Sequence, residues 1–214
     1  MRRIAFYGGT FDPPHIGHLA IAETLLKTFS LDEFVFVPAY HAPHKTRTQP
    51  TSPYDRFAML CLATADMHNV SVSRIEIELP ERPYTVETLA RLKEIYPDDK
   101  IFFVMGADSW MDICTWREWE TVLLASDHIV VTRPGTDVST GHVSDTVRER
   151  IVDLRGEPEA ANTDGGQHIY LTDAVNIAVS ASGIREKIRA GDPAWSTDVP
   201  LSVANYIEKY QIYN

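Results

Sequence analysis

Short apolar runs recur along this chain between longer segments with helical periodicity. They lie within 4-IAFY-7, 34-FVFVP-38, 101-IFFVMG-106 and 128-HIVVTRPG-135. Strands that are apolar on both faces are covered on both faces, as in a parallel sheet flanked by helices. Right-handed crossovers between such strands produce a doubly wound sheet. The pattern therefore predicts an α/β fold, a Rossmann-like α/β/α sandwich.

The other elements follow from periodicity and from capping residues. Further strands are predicted at 70–72, 75–79 and 168–171. Helices are predicted at 19–29, 53–66, 86–95, 109–113, 117–125, 144–154, 183–190 and 201–210. The last two helices form a small C-terminal helical segment, 179–214, behind an α/β core at 1–178. We expect the whole chain to be a single domain.

Acidic side chains outnumber basic ones, 30 to 20, and the formal net charge is −10. Binding to a nucleic-acid backbone needs clustered lysine and arginine, so no nucleic-acid partner is expected. A small anionic substrate is compatible with this charge, because a few local cations decide its binding. No apolar run approaches the ~20 residues of a membrane helix. We expect a cytoplasmic protein without a membrane partner, and the sequence leaves a homo-oligomer open.

Side chains that fit no functional pattern are expected to be structural. Cys61 and Cys114 form no C-x-x-C pair, which disfavours a disulfide framework or a zinc site, and we expect both as buried free thiols. Arg56 is expected to pair with a neighbouring acid. A structural role is also expected of His41, His68, His128, His142 and His168.

The segment 8-GGTFDPPHIGH-18 follows the first strand and contains little that builds a regular element. Gly8 and Gly9 allow a sharp turn and a close approach of a ligand to the main chain. The amides of Gly9, Thr10 and Phe11 are then free to face an anion. The positive end of the next helix adds to that attraction. This combination predicts a phosphate-binding loop.

Two imidazoles follow at the start of that helix. His15 and His18 are spaced i, i+3 and therefore project on one side of its first turn. Imidazoles donate hydrogen bonds, and when charged they neutralise oxyanions. Gly17 between them leaves room for a flat group such as a purine. The alternatives are a purely capping role, or a metal pair, which lacks the nearby Cys or Glu of zinc sites.

Two further motifs leave the same edge of the predicted sheet. Residues 106-GAD-108 follow one strand and 133-RPG-135 follow the next. Asp108 can accept a hydrogen bond from a ribose or an amide, and Gly106 and Arg133 lie at the same edge. Ligands of doubly wound sheets bind beyond the carboxyl ends of the strands. A dinucleotide site of the usual kind would need G-x-G-x-x-G, which this chain lacks.

Two more segments carry anion-binding residues. In 43-PHK-45, Lys45 is a point charge suited to a triphosphate, and His44 is a second donor. In 179-VSASGIREKI-188, Ser180 and Ser182 can cap a helix whose first amides form a second anion site. Arg185 lies one turn later. By itself, Lys45 would more often be a solvated loop charge. By itself, the segment 179–188 would equally often be an ordinary capped helix with an exposed arginine.

The segment 8–18 resembles the signature of the HxGH nucleotidylyltransferase superfamily, G-x-F-D-P-x-H-x-G-H. His15-Ile16-Gly17-His18 also spells the HIGH motif of class I aminoacyl-tRNA synthetases. The chain also resembles the bacterial nicotinate-nucleotide adenylyltransferases. The resemblance lies in five motifs that occur in this order: P-H-K, 82-RPYTVETL-89, G-A-D-S, W-x-x-W and R-P-G. This resemblance implies transfer of an adenylyl group from ATP to nicotinate mononucleotide, which yields deamido-NAD and pyrophosphate. Mg²⁺ is implied with ATP, without a metal site on the protein.

The resemblance also implies roles for individual residues. The implied catalytic residues are His15, His18, Lys45 and Arg185. The implied ATP-binding residues are Gly8, Gly9, Thr10, Phe11, Gly17, His44, Gly106, Asp108, Arg133, Ser180, Ser182 and Ile184. The implied contacts of the mononucleotide are Tyr84, Thr85 and Trp116. The family pattern I-S-S-T-x-I-R is altered here, since Ala181 and Ser182 replace its second Ser and its Thr.

Three other functions stay open on the sequence alone. A phosphopantetheine adenylyltransferase shares the first loop, but it usually has Thr at the position of His15 and a shorter chain. A fragment of an aminoacyl-tRNA synthetase would carry K-M-S-K-S, which is missing here. A nucleotide-binding module without catalysis is disfavoured by the intact histidines, Lys45 and Arg185.

Overall fold

A seven-stranded, all-parallel sheet organises the protein. The computed structural model describes residues 1–40, 50–79, 83–132, 138–156, 166–175 and 177–213. The strands are β1 (Arg3–Gly9), β2 (Glu33–Pro38), β3 (Val70–Val72), β4 (Lys100–Gly106), β5 (Asp127–Val131), β6 (Ile151–Asp153) and β7 (Ile169–Thr172). Their order across the sheet is β3-β2-β1-β4-β5-β7-β6, with every pairing parallel. The predicted doubly wound fold is confirmed.

Helices cover both faces of the sheet. They are α1 (Ile16–Thr28), α2 (Pro53–Ala63), α3 (Thr85–Ile95), α4 (Ala107–Met111), α5 (Trp119–Ala125), α6 (Asp145–Arg148), α7 (Ala181–Arg189) and α8 (Leu201–Tyr210). Two 3₁₀ helices lie at Ile113–Thr115 and Pro193–Asp198. Among the described residues no helix is both long and apolar enough to cross a membrane.

The central strands explain why the sequence selects this arrangement. Successive side chains of a strand point to opposite faces, so Ala5 and Phe6 in β1 belong to two different buried clusters. In β4, Phe102 and Phe103 divide in the same way. Because both faces carry large apolar side chains, the strands are stable only between two layers of helices.

A third cluster attaches the C-terminal segment to the sheet layers. Ile184 of α7, Trp195, and Val203 and Ile207 of α8 pack with Met59 of α2. The predicted helices at 183–190 and 201–210 are confirmed, with α7 starting two residues earlier than expected. Packing of α7 against α8 and α2 fixes the position of the segment 179–185 relative to the sheet.

Two predicted elements were wrong. Residues 75–78 form a turn instead of a strand, because the amides of Ile77 and Glu78 both donate to the Arg74 carbonyl. The predicted helix 144–154 stops at Arg148, and Ile151–Asp153 becomes the edge strand β6 beside β7. In both segments the main chain can form either local hydrogen bonds or hydrogen bonds to a strand of the sheet. Which of the two it forms depends on whether a neighbouring strand is available, and the local sequence does not show this.

The expectation of buried thiols was also wrong. Cys61 and Cys114 are both exposed. Cys61 lies on the outer face of α2, whose inner face buries Met59 and Leu60. The Cys114 thiol donates to the His142 carbonyl at 3.2 Å. Apolar neighbours in sequence did not identify the buried face of these short helices.

We expect His128 to make stability depend on pH. It is fully buried in β5, and burial lowers its pKa from 6.5 to about 4. Between these values the unfolded chain binds a proton that the folded chain does not. The contribution of His128 to the free energy of unfolding should therefore fall by roughly 3 kcal/mol as the pH drops through this window.

Urea melts of the wild type and of His128→Asn at about pH 7 and about pH 5 check this. The His128 Nδ1 donates to the Ser126 carbonyl at 3.0 Å, and Asn keeps a donor near that position without titrating. Burial raises the pKa of Glu76 to about 7, which has the opposite effect on both proteins. The difference between them therefore isolates the histidine, and equal pH dependence would contradict the assignment.

Candidate active site

A cavity of about 640 Å³ opens at the carboxyl ends of β1, β4 and β5. Its volume lies in the range of small-molecule sites, and its place is the one expected for a doubly wound sheet. Ten residues predicted from the sequence line it: Thr10, Phe11, His15, Gly17, His18, Gly106, Asp108, Ser180, Ser182 and Arg185. The fold thus brings three distant segments of the chain together at one edge of the sheet.

The two histidines form a stacked pair at the start of α1. Their ring centroids are 3.6 Å apart and the ring planes differ by 22°. The His18 Nδ1 accepts a hydrogen bond from the His15 amide at 3.1 Å. A neutral His18 therefore carries its proton on Nε2, which makes Nε2 a donor. Two imidazolium charges this close repel each other, and an oxyanion beside them relieves that repulsion.

The two glycines of the first loop serve the packing of aromatic rings. A Cβ on Gly9 would lie 2.7 Å from the Phe11 ring, and a Cβ on Gly8 would lie 3.0 Å from the Phe103 ring. Phe11 has a φ of 51°, a left-handed conformation that turns the loop sharply after β1. Neither glycine is among the residues that line the cavity. Gly9 therefore makes room for Phe11 in the turn, and Gly8 makes room for Phe103 of β4.

Gly17 lies under the ring of His15. A Cβ there would come within 3.1 Å of the imidazole and 3.8 Å of Ile177. The sequence suggested that this glycine leaves room for a purine, and in this structure the imidazole occupies much of that space. Gly106 at the end of β4 is different, since no atom lies within 4 Å of the position where its Cβ would be. Gly106, and not Gly17, is therefore the glycine of the cavity that leaves open space next to the main chain.

Asp12 is the junction between the first loop and the rest of the site. It is only 6% exposed. Its carboxylate accepts from the Tyr213 hydroxyl at 2.6 Å and from the Thr51 amide at 3.3 Å. Its main-chain carbonyl accepts from the Arg185 guanidinium at 2.6 Å. The oxygens of Asp12 thus connect four segments of the chain.

The start of α7 forms another wall of the cavity. Ser180 is the N-cap, and its hydroxyl accepts from the Gly183 amide at 3.1 Å, which confirms its predicted capping role. The Ser182 hydroxyl lies 3.3 Å from that of Ser180. Arg185 and Arg189 follow on the same face and line the cavity. Two hydroxyls and two guanidinium groups thus concentrate donors and positive charge on this wall.

Arg56 of α2 fixes the first loop from below and is completely buried. Its Nε donates to the Thr51 carbonyl at 2.9 Å and its Nη1 to the Thr10 carbonyl at 2.6 Å. Its Nη2 donates to the carbonyls of Ala39 at 2.6 Å and Tyr40 at 3.3 Å. The predicted pairing of Arg56 with an acid was wrong: main-chain carbonyls hold it.

Several predicted site residues lie elsewhere. Ile184 is buried against α2 and α8 instead of lining the cavity. His44, Lys45 and Arg133 lie outside the described residues, so their predicted roles remain predictions. Arg56 nevertheless holds the carbonyls on both sides of 41–49, the segment that carries His44 and Lys45.

The residues predicted to contact nicotinate gather away from the cavity lining. Tyr84 is the N-cap of α3, and Thr85 is its first residue. The Arg117 guanidinium lies 4.8 Å from the centre of the Tyr84 ring and 3.7 Å from the Glu87 carboxylate. Trp116, next to Arg117, packs partly buried against the core. Arg117 therefore connects the two segments that carry Tyr84, Thr85 and Trp116.

Sequence reasoning missed other residues that line the cavity. Arg189 could have been found, because it lies one helical turn after Arg185. Thr132 follows β5 directly, and Thr51 lies just before α2. Tyr213 gave no local signal, since it lies 201 residues from its partner Asp12. In the part of the chain that the structure describes, no three His, Cys, Asp or Glu side chains cluster as metal ligands would.

Comparison with known proteins agrees with this geometry. The family model described as cytidylyltransferase-like matches residues 6–187. A relative from Desulfitobacterium hafniense (strain Y51), named "Probable nicotinate-nucleotide adenylyltransferase", is 37% identical over 213 residues, 99% of this chain and 96% of the relative. A relative of the same name from Geobacter sulfurreducens is 35% identical over 208 residues, 96% of this chain and 95% of the relative.

Solved structures show the same fold at lower identity. Nicotinic acid mononucleotide adenylyltransferase from Plasmodium falciparum, complexed with NaAD, superposes with a TM-score of 0.74 at 20% identity. The match covers 100% of this chain and 98% of that one. From its sequence relatives and its family model, the chain belongs to the cytidylyltransferase-like family and, within it, to the nicotinate-nucleotide adenylyltransferases.

Proposed function

We propose that this protein transfers the adenylyl group of ATP to nicotinate mononucleotide at the cavity beyond β1, β4 and β5. The observation that carries the proposal is the stacked pair of His15 and His18 in a cavity that Arg185 also lines. Donors on two walls of one cavity suit a polyphosphate that extends between them. The products are deamido-NAD and pyrophosphate, and we expect the reaction in the cytoplasm.

The reaction needs no nucleophile from the protein. A phosphate oxygen of the mononucleotide attacks the α-phosphorus of ATP in line. The bond from that phosphorus to the bridging oxygen breaks, and pyrophosphate leaves with the electron pair. Because the attacking phosphate is already ionised, catalysis consists of positioning and charge stabilisation.

In this mechanism, different residues of the cavity stabilise the negative charge on different phosphate groups. His18 donates from Nε2 to an oxygen of the α-phosphate, and His15 stabilises the same region. Arg185, with Lys45 from the segment 41–49, holds the departing pyrophosphate. The amides at the start of α7, next to Ser180 and Ser182, bind the remaining phosphate oxygens.

Magnesium enters as part of the substrate, MgATP. Mg²⁺ prefers oxygen ligands and keeps several waters, so substrate phosphates supply most of its coordination. Of the carboxylates that line the cavity, Asp12 accepts hydrogen bonds from Tyr213 and Thr51. Asp108 is exposed and is left for a ribose hydroxyl or a magnesium-bound water.

We expect the enzyme to prefer the acid over the amide of the mononucleotide. The first amides of a helix have no partner within it, and α3 begins at Thr85, directly after Tyr84, whose ring lies 4.8 Å from the Arg117 guanidinium. These donors and the Arg117 charge suit a carboxylate, whereas a carboxamide also needs an acceptor. We predict that kcat/KM for nicotinate mononucleotide exceeds that for nicotinamide mononucleotide by about 100-fold.

Pyrophosphate release from ATP measures both the function and this selectivity. The acceptors are nicotinate mononucleotide, nicotinamide mononucleotide, phosphopantetheine and none, with KM for ATP determined in each active case. Release with phosphopantetheine alone would contradict the proposed function. A ratio near one between the two mononucleotides would contradict only the proposed carboxylate site.

A further inference from the structure

The last turn of the chain returns to the cavity. After α8 ends at Tyr210, Gln211 has a φ of 55° and Tyr213 a φ of 76°. Left-handed conformations of residues other than glycine cost on the order of 1–3 kcal/mol and persist only where contacts enforce them. The Ile212 amide donates to the Ile207 carbonyl at 3.1 Å, which closes the turn and directs Tyr213 towards β1.

Tyr213 both lines the cavity and reaches the buried carboxylate of Asp12. Its hydroxyl donates to Oδ1 at 2.6 Å. Burial raises the pKa of Tyr213 above its ordinary value, and the Asp12 carboxylate raises it further. The phenol therefore stays protonated and remains a donor at any pH at which the enzyme works.

Asp12 transmits the position of this hydroxyl to the phosphate-binding groups. Its carbonyl holds Arg185 at 2.6 Å, and it lies three residues before His15. A buried carboxylate is stable only while donors satisfy it. Without the phenol, the described hydrogen bonds of its side chain reduce to that from the Thr51 amide at 3.3 Å, beside the attraction of the Arg56 charge. The loop can then reorient and release Arg185.

We propose that Tyr213 is a positioning residue for adenylyl transfer, which acts on the ATP triphosphate through Asp12 and Arg185. This inference rests on the proposed function for its kinetic part. Tyr213 touches no reacting atom in this scheme. It fixes the first loop relative to α7, so that donors on both segments can bind the same polyphosphate.

The test compares Tyr213→Phe with Tyr206→Phe, a matched control on α8. The Tyr206 hydroxyl donates to Asp55 at 2.8 Å, and neither residue lines the cavity. Each variant loses one hydrogen bond between a phenol and a carboxylate. We expect Tyr213→Phe to bind ATP roughly tenfold more weakly by calorimetry, with KM for the mononucleotide within about twofold. Tyr206→Phe should bind ATP as the wild type does.

A double-mutant cycle tests the route through Asp12. If Tyr213 acts through that carboxylate, Tyr213→Phe should add little to the weakening of ATP binding caused by Asp12→Asn. Independent, additive effects would overturn the proposal. Equal ATP affinity in the two tyrosine variants would also overturn it, as would a Tyr213→Phe protein that only melts at lower temperature. Because calorimetry needs no turnover, these results are distinct from a failure of the proposed reaction.

Discussion

His18→Ala should lower kcat by a factor of about 100 or more, while KM for nicotinate mononucleotide changes much less. The reason is that the Nε2 proton of His18 meets charge that grows on the α-phosphate only in the transition state. Steady-state pyrophosphate release at saturating ATP measures this effect. Wild-type turnover by the variant would remove His18 from the mechanism.

Two substitutions of His18, by Asn and by Gln, distinguish this catalytic role from a role in helix capping. Asn places an oxygen where the His18 Nδ1 accepts from the His15 amide, but it has nothing at the position of Nε2. Gln places its amide nitrogen near Nε2. We therefore expect His18→Asn to melt like the wild type yet remain slow, and His18→Gln to recover part of kcat. Full activity of His18→Asn would assign the histidine to capping alone.

Arg56→Met should lower the free energy of unfolding by about 3 kcal/mol or more, since it leaves buried carbonyl oxygens without donors. Four main-chain carbonyls depend on this guanidinium. Urea unfolding measures the loss. Arg74→Met is the matched control, because the Arg74 side chain is 61% exposed and forms an ion pair with Glu78 on the surface. A loss no greater than in that control would contradict the interpretation.

Arg56→Lys addresses activity more than stability. Lysine keeps the charge, but a single ammonium cannot reproduce the planar fork of donors that arginine presents. The carbonyls of Thr10, Ala39 and Thr51 would no longer be held to one group. We expect kcat/KM for ATP to fall about tenfold or more in the folded variant, because both ends of 41–49 would shift relative to the first loop.

The sheet could be predicted from the sequence because its central strands are apolar on both faces. Phe6, Phe102 and Phe103 need two covering layers wherever the remaining elements lie. The first loop was predictable as a break after β1, since 8-GGTFDPPHIGH-18 contains little that builds a regular element. The edge strand of the sheet was harder to predict. The sequence of Ile151–Asp153 has a helical pattern, but in the structure the segment pairs with β7 as a strand.

The remainder of the site depends on contacts that sequence distance conceals. Arg56 has the pattern of a surface helix residue, yet it is buried and donates to four main-chain carbonyls. Gly9 suggested a ligand contact, but the missing Cβ accommodates the Phe11 ring. Tyr213 lies 201 residues from Asp12, its hydrogen-bond partner. Such contacts follow from tertiary packing, which local periodicity does not encode.

The meeting of Asp12 with Tyr213 has a consequence for biosynthesis. The first loop emerges from the ribosome early, whereas its partner Tyr213 is translated 201 residues after Asp12. All seven strands of the sheet precede Tyr213 in the chain. A nascent chain can therefore synthesise the whole sheet before the residue that holds the Asp12 carboxylate exists.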